Sequence, residues 1–427
     1  MATVLSGDQL RFLLNRFRDR LWVKPLVVCL LSVAAVFMAK LAEGTELMLY
    51  MPAITADSIE TLLSIMASSM LVIATFSVGS MVSAYASASN TATPRSFTLL
   101  VADDASQNAL STFVGAFIFS IVALTAFKNN YFETAGLFIL FVLTVIAFAV
   151  VIVTFVYWVD RIARLGRMGS TIEKVENATA AALKKRRNAP RLRGMRVESK
   201  NYQQTVFSTS VGYVQHIDIC ALQSLAEAAD MKIVIAALPG TLAAPGKPLA
   251  YLRFASENQS EIDCKALEKT FQIGSTRFFD DDPRFGLVVL SEIAGRALSP
   301  AVNDPGTAIA IVGTLLRLFV LWNETKIDGD DNSPEYDRIE VPELSVRDMF
   351  DDAFTAIARD SVGMIEVSVR LQKTLHALAI SGDYQIQDAA KYHSQLALKR
   401  SQLALKIKED LAAVEDAANF SAGEKST

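Results

Sequence analysis

The sequence predicts an integral membrane α-helical protein: four transmembrane helices, then a cytoplasmic α+β domain with a small β-rich module and a helical hairpin. Three observations carry this expectation. The 427 residues are 52% hydrophobic, and their mean hydropathy of +0.31 is high for a wholly soluble chain. The long uncharged runs nearly all lie before Asp160. After Val211 the texture changes to short strands, Pro-Gly turns and amphipathic stretches.

Residues 21–42, 61–87, 109–127 and 134–158 supply the four spans. Each is close to the roughly 20 apolar helical residues that a hydrocarbon core of about 30 Å requires. No convincing cleavage site follows the first run and three more spans come after it, so it reads as a retained helix rather than a signal peptide. Ahead of it, within residues 1–20, Leu10, Leu13 and Phe17, continued by Leu21, recur at helical spacing among arginines. That pattern reads as an amphipathic helix lying on the inner leaflet. Arg11, Arg16, Arg18, Arg20 and Lys24 precede or open the first span, and Arg161, Arg164 and Arg167 follow the fourth, whereas the loop 43–60 has acids and no base. Bases near span ends mark the cytoplasmic side, so both termini are expected in the cytoplasm.

The second span is rich in small hydroxylated residues. Ser69, Ser77, Gly79, Ser80, Ser83 and Ser87 are its pore-lining or helix-packing candidates. A hydroxyl in hydrocarbon needs a partner, so such a helix is expected to face protein or water. Gly79, Ser83 and Ser87 form a line of small residues four apart, and Ser111 with Gly115 forms another on the third span. Lines of this kind let helices approach closely. No ionisable residue lies mid-span; Lys40 is near enough to an end to snorkel. A proton-relay pump or charge-coupled transporter would need such a group.

Beyond the spans, residues 161–197 read as a basic linker that opens as a helical continuation of the fourth span, and its run from Lys184 to Arg193 is expected to meet anionic lipid or solvent. Residues 198–280 read as the β-rich module, with turns at Pro239-Gly240 and Pro245-Gly246. The hairpin occupies 281–325. Asp282 with Pro283 and Asp304 with Pro305 are two helix starts of one kind: aspartate caps backbone N–H groups, and proline at the first helical position sacrifices no bond. Ser299 before Pro300 ends the first helix. The second, running from 305 to about 322, is nearly apolar enough to be a fifth span, but Arg317 inside it argues for a buried core or subunit-interface helix. An acidic loop over 326–344 and C-terminal helices over 345–427, near 345–380 and 388–417, complete the chain.

The four-span half with "TPRS" in a loop, then "GYVQHID", "LPGTLAAPGKPLA", "DDDPRFGL" and "RALSPAVNDPGTA", resembles the bacterial predicted membrane proteins of domain-of-unknown-function family 2254 (DUF2254). The last motif, with Ser299, Pro300, Asn303, Asp304 and Pro305, is the most specific. The resemblance extends to about Trp322. It implies an inner-membrane location and brings no established activity, so no catalytic residue is carried over.

A net charge of -4 without a basic stripe does not suit a nucleic-acid binder. Three cysteines and three histidines show no metal-ligand spacing, and no cofactor is expected. Asp280, Asp281, Asp282, Arg284, Arg296, Asn303 and Asp304 surround the hairpin, and its acids would converge if both helix starts met. Acids at helix starts ordinarily act as caps, and no nucleophile motif accompanies these. The expected protein is therefore no enzyme but a homo-oligomeric, channel or pore-like protein with a cytoplasmic assembly or gating domain. A membrane-anchored sensor or scaffold binding a partner or small ligand is the alternative.

Overall fold

The computed structural model describes residues 22–41, 55–91, 93–96, 99, 104–164, 167–198, 201–254, 263–324 and 334–421. The amphipathic helix expected over 1–20 lies outside them. The described residues divide into two compact units, one up to residue 171 and one from residue 172.

The first unit is four apolar helices: α1 (Val23–Leu41), α2 (Ala56–Thr91), α3 (Asp104–Lys128) and α4 (Thr134–Arg164). Helix α3 touches all three others. Toward one end Val36, Ala39, Leu63, Phe119, Ala123 and Leu140 form a core; toward the other, Met66, Met70, Phe113, Val151 and Trp158 form a second. Small residues decide where helices close in. A Cβ on Gly115 would stand 2.4 Å from Val28 Cγ1, so α1 approaches α3 only because that position is glycine. Three buried hydroxyls on α3 and α4 are satisfied within their own helices: Ser111 donates to the Gln107 carbonyl at 2.7 Å, Ser120 to Ala116 at 2.8 Å and Thr144 to Leu140 at 2.7 Å. Lys40 Nζ donates to the Tyr131 carbonyl at 2.7 Å. Helix α2 is longer than its apolar run predicts. Its 36 residues extend about 54 Å at an α-helical rise, well beyond a hydrocarbon core.

The second unit begins within α5 (Met168–Asn188), and here the structure corrects the basic linker expected over 161–197. Residues 168–188 are helical because one face is apolar: Val175 and Leu183 are buried, as is Thr179, whose hydroxyl donates to the Val175 carbonyl at 2.6 Å. Five strands form one sheet in the order β1-β8-β4-β6-β2, namely β1 (Gly194–Met195), β8 (Tyr336–Glu340), β4 (Met231–Ile235), β6 (Pro248–Phe254) and β2 (Gln204–Phe207). Strands β1 and β4 both run parallel to β8, with Ile233 opposite Ile339. A second sheet, β5-β3-β7, joins β5 (Leu242–Ala243), β3 (Gly212–Ile217) and β7 (Phe271–Gly274). Helices α6 (Ile219–Ala228) and α7 (Cys264–Lys269) start on Asp218 and Asp263 caps.

Two expectations fail at β8. The β-rich module is not confined to 198–280, and 326–344 is not wholly an acidic loop, because residues 336–340 insert between β1 and β4. Ile339 and Glu340 are fully buried; Glu340 accepts from Arg253 Nη2 at 2.8 Å and from the Glu198 N–H at 3.2 Å.

The helical part comprises α8 (Pro283–Ala297), α9 (Pro305–Asn323), α10 (Val346–Asp360), α11 (Ile365–Ser381), α12 (Tyr384–Ala404) and α13 (Lys408–Ala418). Two long C-terminal helices were the expectation; the structure breaks them into four, at Ser361–Met364, Gly382 with the Asp383 cap, and residues 405–407. Among the described residues five helices are long and apolar enough to cross a membrane, and α9 is the fifth. It packs on α8 and α11, burying Ile311, Val312, Leu315 and Phe319, and Arg317 pairs with Glu176 of α5 at 2.7 and 2.8 Å. Phe319, Phe350 and Phe354 form an aromatic core.

Beside that core, His393 is 2% exposed against the Phe350 ring. Burial drives its pKa down to about 4; Arg347 and Arg400 push the same way and Asp351 opposes. An imidazole held neutral favours folding above its unfolded pKa of about 6.5 and loses that contribution as pH falls toward 4. Unfolding of the detergent-solubilised chain should therefore become easier by about 2 kcal/mol between pH 7 and pH 5. In His393→Gln that dependence should flatten, which a chemical-denaturation series at fixed temperature measures.

Candidate functional site

The motif "DDDPRFGL" is where α5, both sheets and the helical part converge. Asp282 is 3% exposed and caps α8, accepting the Phe285 N–H at 3.2 Å. Arg277 grips the same carboxylate in a fork, Nε to Oδ2 at 2.7 Å and Nη2 to Oδ1 at 3.0 Å, with its guanidinium 5.2 Å from the Phe285 ring. The turn at Pro239-Gly240 closes on this carboxylate. Gly240 has φ +92, and a Cβ there would lie 2.3 Å from Asp282 Oδ2. Glycine supplies both the left-handed conformation and the space. "LPG" and "DDDP" thus form one contact.

The neighbouring Asp281 faces the other way. Its Oδ2 lies 2.7 Å from His216 Nδ1 on β3, and its Oδ1 accepts from Lys185 of α5. Its backbone carbonyl faces Arg186, which is 3% exposed. One turn on, a Cβ at Gly286 would fall 1.9 Å from Thr179 Oγ1, so α5 crosses α8 at this glycine. The two carboxyls are pushed apart electrostatically. Burial opposes ionisation of Asp281, but the His216 hydrogen bond and Lys185 outweigh it and hold the pKa at about 2. At Asp282 burial wins over Arg277 and moves the pKa up. Burial also pulls Arg186 below its ordinary value against the attraction of Asp281 and Asp282. Arg284 ties α8 to α10 through Asp352 at 2.6 Å and Asp348 at 2.9 Å.

The basic run is therefore largely engaged inside its own unit. Arg187 reaches the Leu321 carbonyl and Glu324, Arg191 reaches Glu343, and Arg193 pairs with Glu335. Sequence reading missed His216, Lys185, Arg186, Arg277 and Gly240 as members of this joint. The Pro-Gly turn and Arg277, 5 positions before Asp282, were the local signals; His216 is 65 positions from Asp281, and Lys185 and Arg186 are 96 and 95.

The second motif, "RALSPAVNDPGTA", folds on itself. Ser299 Oγ donates to the Arg296 carbonyl at 2.7 Å, the Asn303 N–H to the Ser299 carbonyl at 2.8 Å, and the Asp304 N–H to the Ala297 carbonyl at 2.8 Å. Asn303 takes φ +49, a value asparagine tolerates. Asp304 caps α9 through the Thr307 N–H at 3.0 Å and the Thr307 hydroxyl at 2.6 Å, which together lower its pKa. Arg296, Pro300 and Asn303 are exposed, and Pro305 is half-buried. The expected convergence of Asp280–Asp282 with Asn303 and Asp304 fails. The 15 residues of α8 separate the two helix starts by about 22 Å. Among the described residues no three His, Cys, Asp or Glu side chains gather as a metal site.

In the first unit the serine candidates divide. Ser77 is fully buried and Ser69 half-buried. Gly79, Ser80, Ser83 and Ser87 line an open groove of about 610 Å³ with Phe76, Ala84 and Ile162. Among the described residues nothing lies within 4 Å of a Cβ at Gly79, whereas Gly115 is in close contact with α1.

Three outcomes follow from this chemistry. Gly286→Ala should destabilise the protein by about 2 kcal/mol through overpacking, with part recovered by adding Thr179→Ala in a double-mutant cycle. Asp281→Asn should lower stability at pH 7 by about 2 kcal/mol. The depressed carboxylate contributes above its unfolded pKa, so that difference should shrink as pH falls from about 4 toward 2. Asp304→Ala should cost about 1 kcal/mol through the lost cap, and Pro305→Ala little, as differential melting would register.

No solved structure matches the chain. Uncharacterized proteins of Mycobacterium bovis and Mycobacterium tuberculosis are each 33% identical over 105 residues, covering 24% of this chain and 20% of theirs. The chain thus matches about a fifth of the length of those curated relatives. The model of a family described as "Predicted membrane protein (DUF2254)" matches residues 18–377. With helices long and apolar enough to cross a bilayer on one side and a sheet-bearing unit on the other, the chain belongs to the DUF2254 family of predicted membrane proteins.

Proposed function

We propose that the protein is an oligomeric channel or pore-like protein of the bacterial inner membrane, whose second unit serves assembly or gating. In this reading α1 to α4 span the bilayer, α9 stays in the second unit, and both termini are cytoplasmic, as the bases around α1 and α4 favour. The observation that carries it is the open groove of α2. Among the described residues nothing lies within 4 Å of a Cβ at Gly79, and Ser80, Ser83 and Ser87 line the groove within a largely apolar unit. Such a face is poorly matched to lipid and well matched to water or to a second copy brought close by the small residues. The low charge of the face suits passive passage rather than proton-coupled pumping. No step of this reading is enzymatic.

Single cysteines at Ser77, Ser80, Ser83 and Ser87, in a chain lacking Cys29, Cys220 and Cys264, supply the test. In native membranes a charged, water-soluble thiol reagent should label positions 80, 83 and 87 and spare the buried position 77. Protection of all four would defeat the pore and turn attention to a scaffold. Monomeric mass in mild detergent would defeat the oligomer.

A further inference from the structure

Helix directions in the second unit bring distant segments to one end. Arg284 meets Asp348 and Asp352, while a Cβ at Gly295 would lie 3.3 Å from Asp360, so α8 and α10 run side by side in the same sense. Arg347 pairs with Asp388 and His393 lies 3.3 Å from Asp351, which sets α12 in that sense too. Asn323 bonds the Ser381 carbonyl and the Asp383 N–H, placing the ends of α9 and α11 beside the start of α12. One end therefore holds the turn 298–304, the start of α11 and the corner 403–408; the other holds Asn323, Ser381 and Asp383.

Both ends expose large apolar side chains. At the first, Val302 is 49% exposed, Leu403 91% and Ile407 58%; at the second, Val320 is 42% exposed, Ile380 71% and Tyr384 82%. Lysines flank the apolar side chains of the first end. Lys406 and Lys408 bracket Ile407, with Lys399 one turn before Leu403 and all three exposed; Glu409 and Asp410 follow in the first turn of α13, where a helix start favours acids.

We propose that the end formed by Val302, Leu403 and Ile407 with Lys399, Lys406 and Lys408 is a docking surface for anionic lipid headgroups. Aliphatic tips enter the headgroup boundary while flanking lysines meet the negative leaflet. The apolar helices of the same chain hold the unit near a bilayer, so even a weak contact is populated. This surface stands independently of the channel reading.

The test uses the full chain with Cys29, Cys220 and Cys264 replaced by Ser. Single cysteines at Val302, Leu403 or Ile407, and at Ile380 or Tyr384 for reference, carry a polarity-sensitive fluorophore. Each is reconstituted into vesicles of phosphatidylcholine and phosphatidylglycerol containing a nitroxide lipid. Quenching at 302, 403 and 407 but not at 380 and 384 is expected, with loss of quenching in phosphatidylcholine alone and in Lys406→Glu/Lys408→Glu. Equal quenching at both ends, no quenching at 403, or a blue shift at 403 without quenching, the signature of a second protein copy, would each overturn the proposal.

Discussion

Two adjacent carboxylates pointing in opposite directions hold the second unit together. Asp281 reaches back to β3 and α5 through His216 and Lys185, while Asp282 caps α8 and receives Arg277 under the Gly240 turn. Neither ion is tolerable at that depth alone, because a buried charge must be paired and hydrogen-bonded. Each is neutralised by a different element. The dipeptide therefore fixes four pieces of chain relative to one another, and Gly286 lets α5 cross at the distance this geometry demands.

In the apolar unit the constraint is different. Without charges, close approach is set by where side chains are missing. Gly115 admits α1 to α3, and back-bonded hydroxyls on α3 and α4 satisfy their own helices. Helix α2 shows the converse. Its packed side, with Met66, Met70 and the buried Ser77, lies on α3 and α4, while its outward side carries Leu71, Val72, Phe76 and Val82 together with Gly79 and Ser83. The same residue types thus make a packed seam in one helix and an uncovered groove in another, the difference being whether a neighbour is present.

What could be read from sequence followed the range of each signal. Apolar runs marked α1 to α4, and the Asp-Pro steps marked the starts of α8 and α9, because cap and proline act on their own helix. Residues 184–193 misled: a cluster of bases reads as solvated by local rules, yet Lys185, Arg187, Arg191 and Arg193 meet acids far along the chain. Strand β8 was hidden for a related reason, since "YDRIE" carries three charges and owes its place to Arg253 and the neighbouring strands. The small residues of α2 announced themselves, but composition does not say which way a helix turns them.

The position of β8 bears on the order in which the chain acquires structure. Among the described residues strand β1 pairs only with β8, and β4 shares one edge with it. Those partners are separated in sequence by the whole helical hairpin. During synthesis the β-rich segment therefore emerges with an unsatisfied edge and stays so until residue 340 has been made, by which time α8 and α9 already exist. An open edge recruits other strands. The hairpin is consequently a detour that the sheet must wait out, and folding of the second unit is tied to a late, non-local closure rather than to its earliest strands.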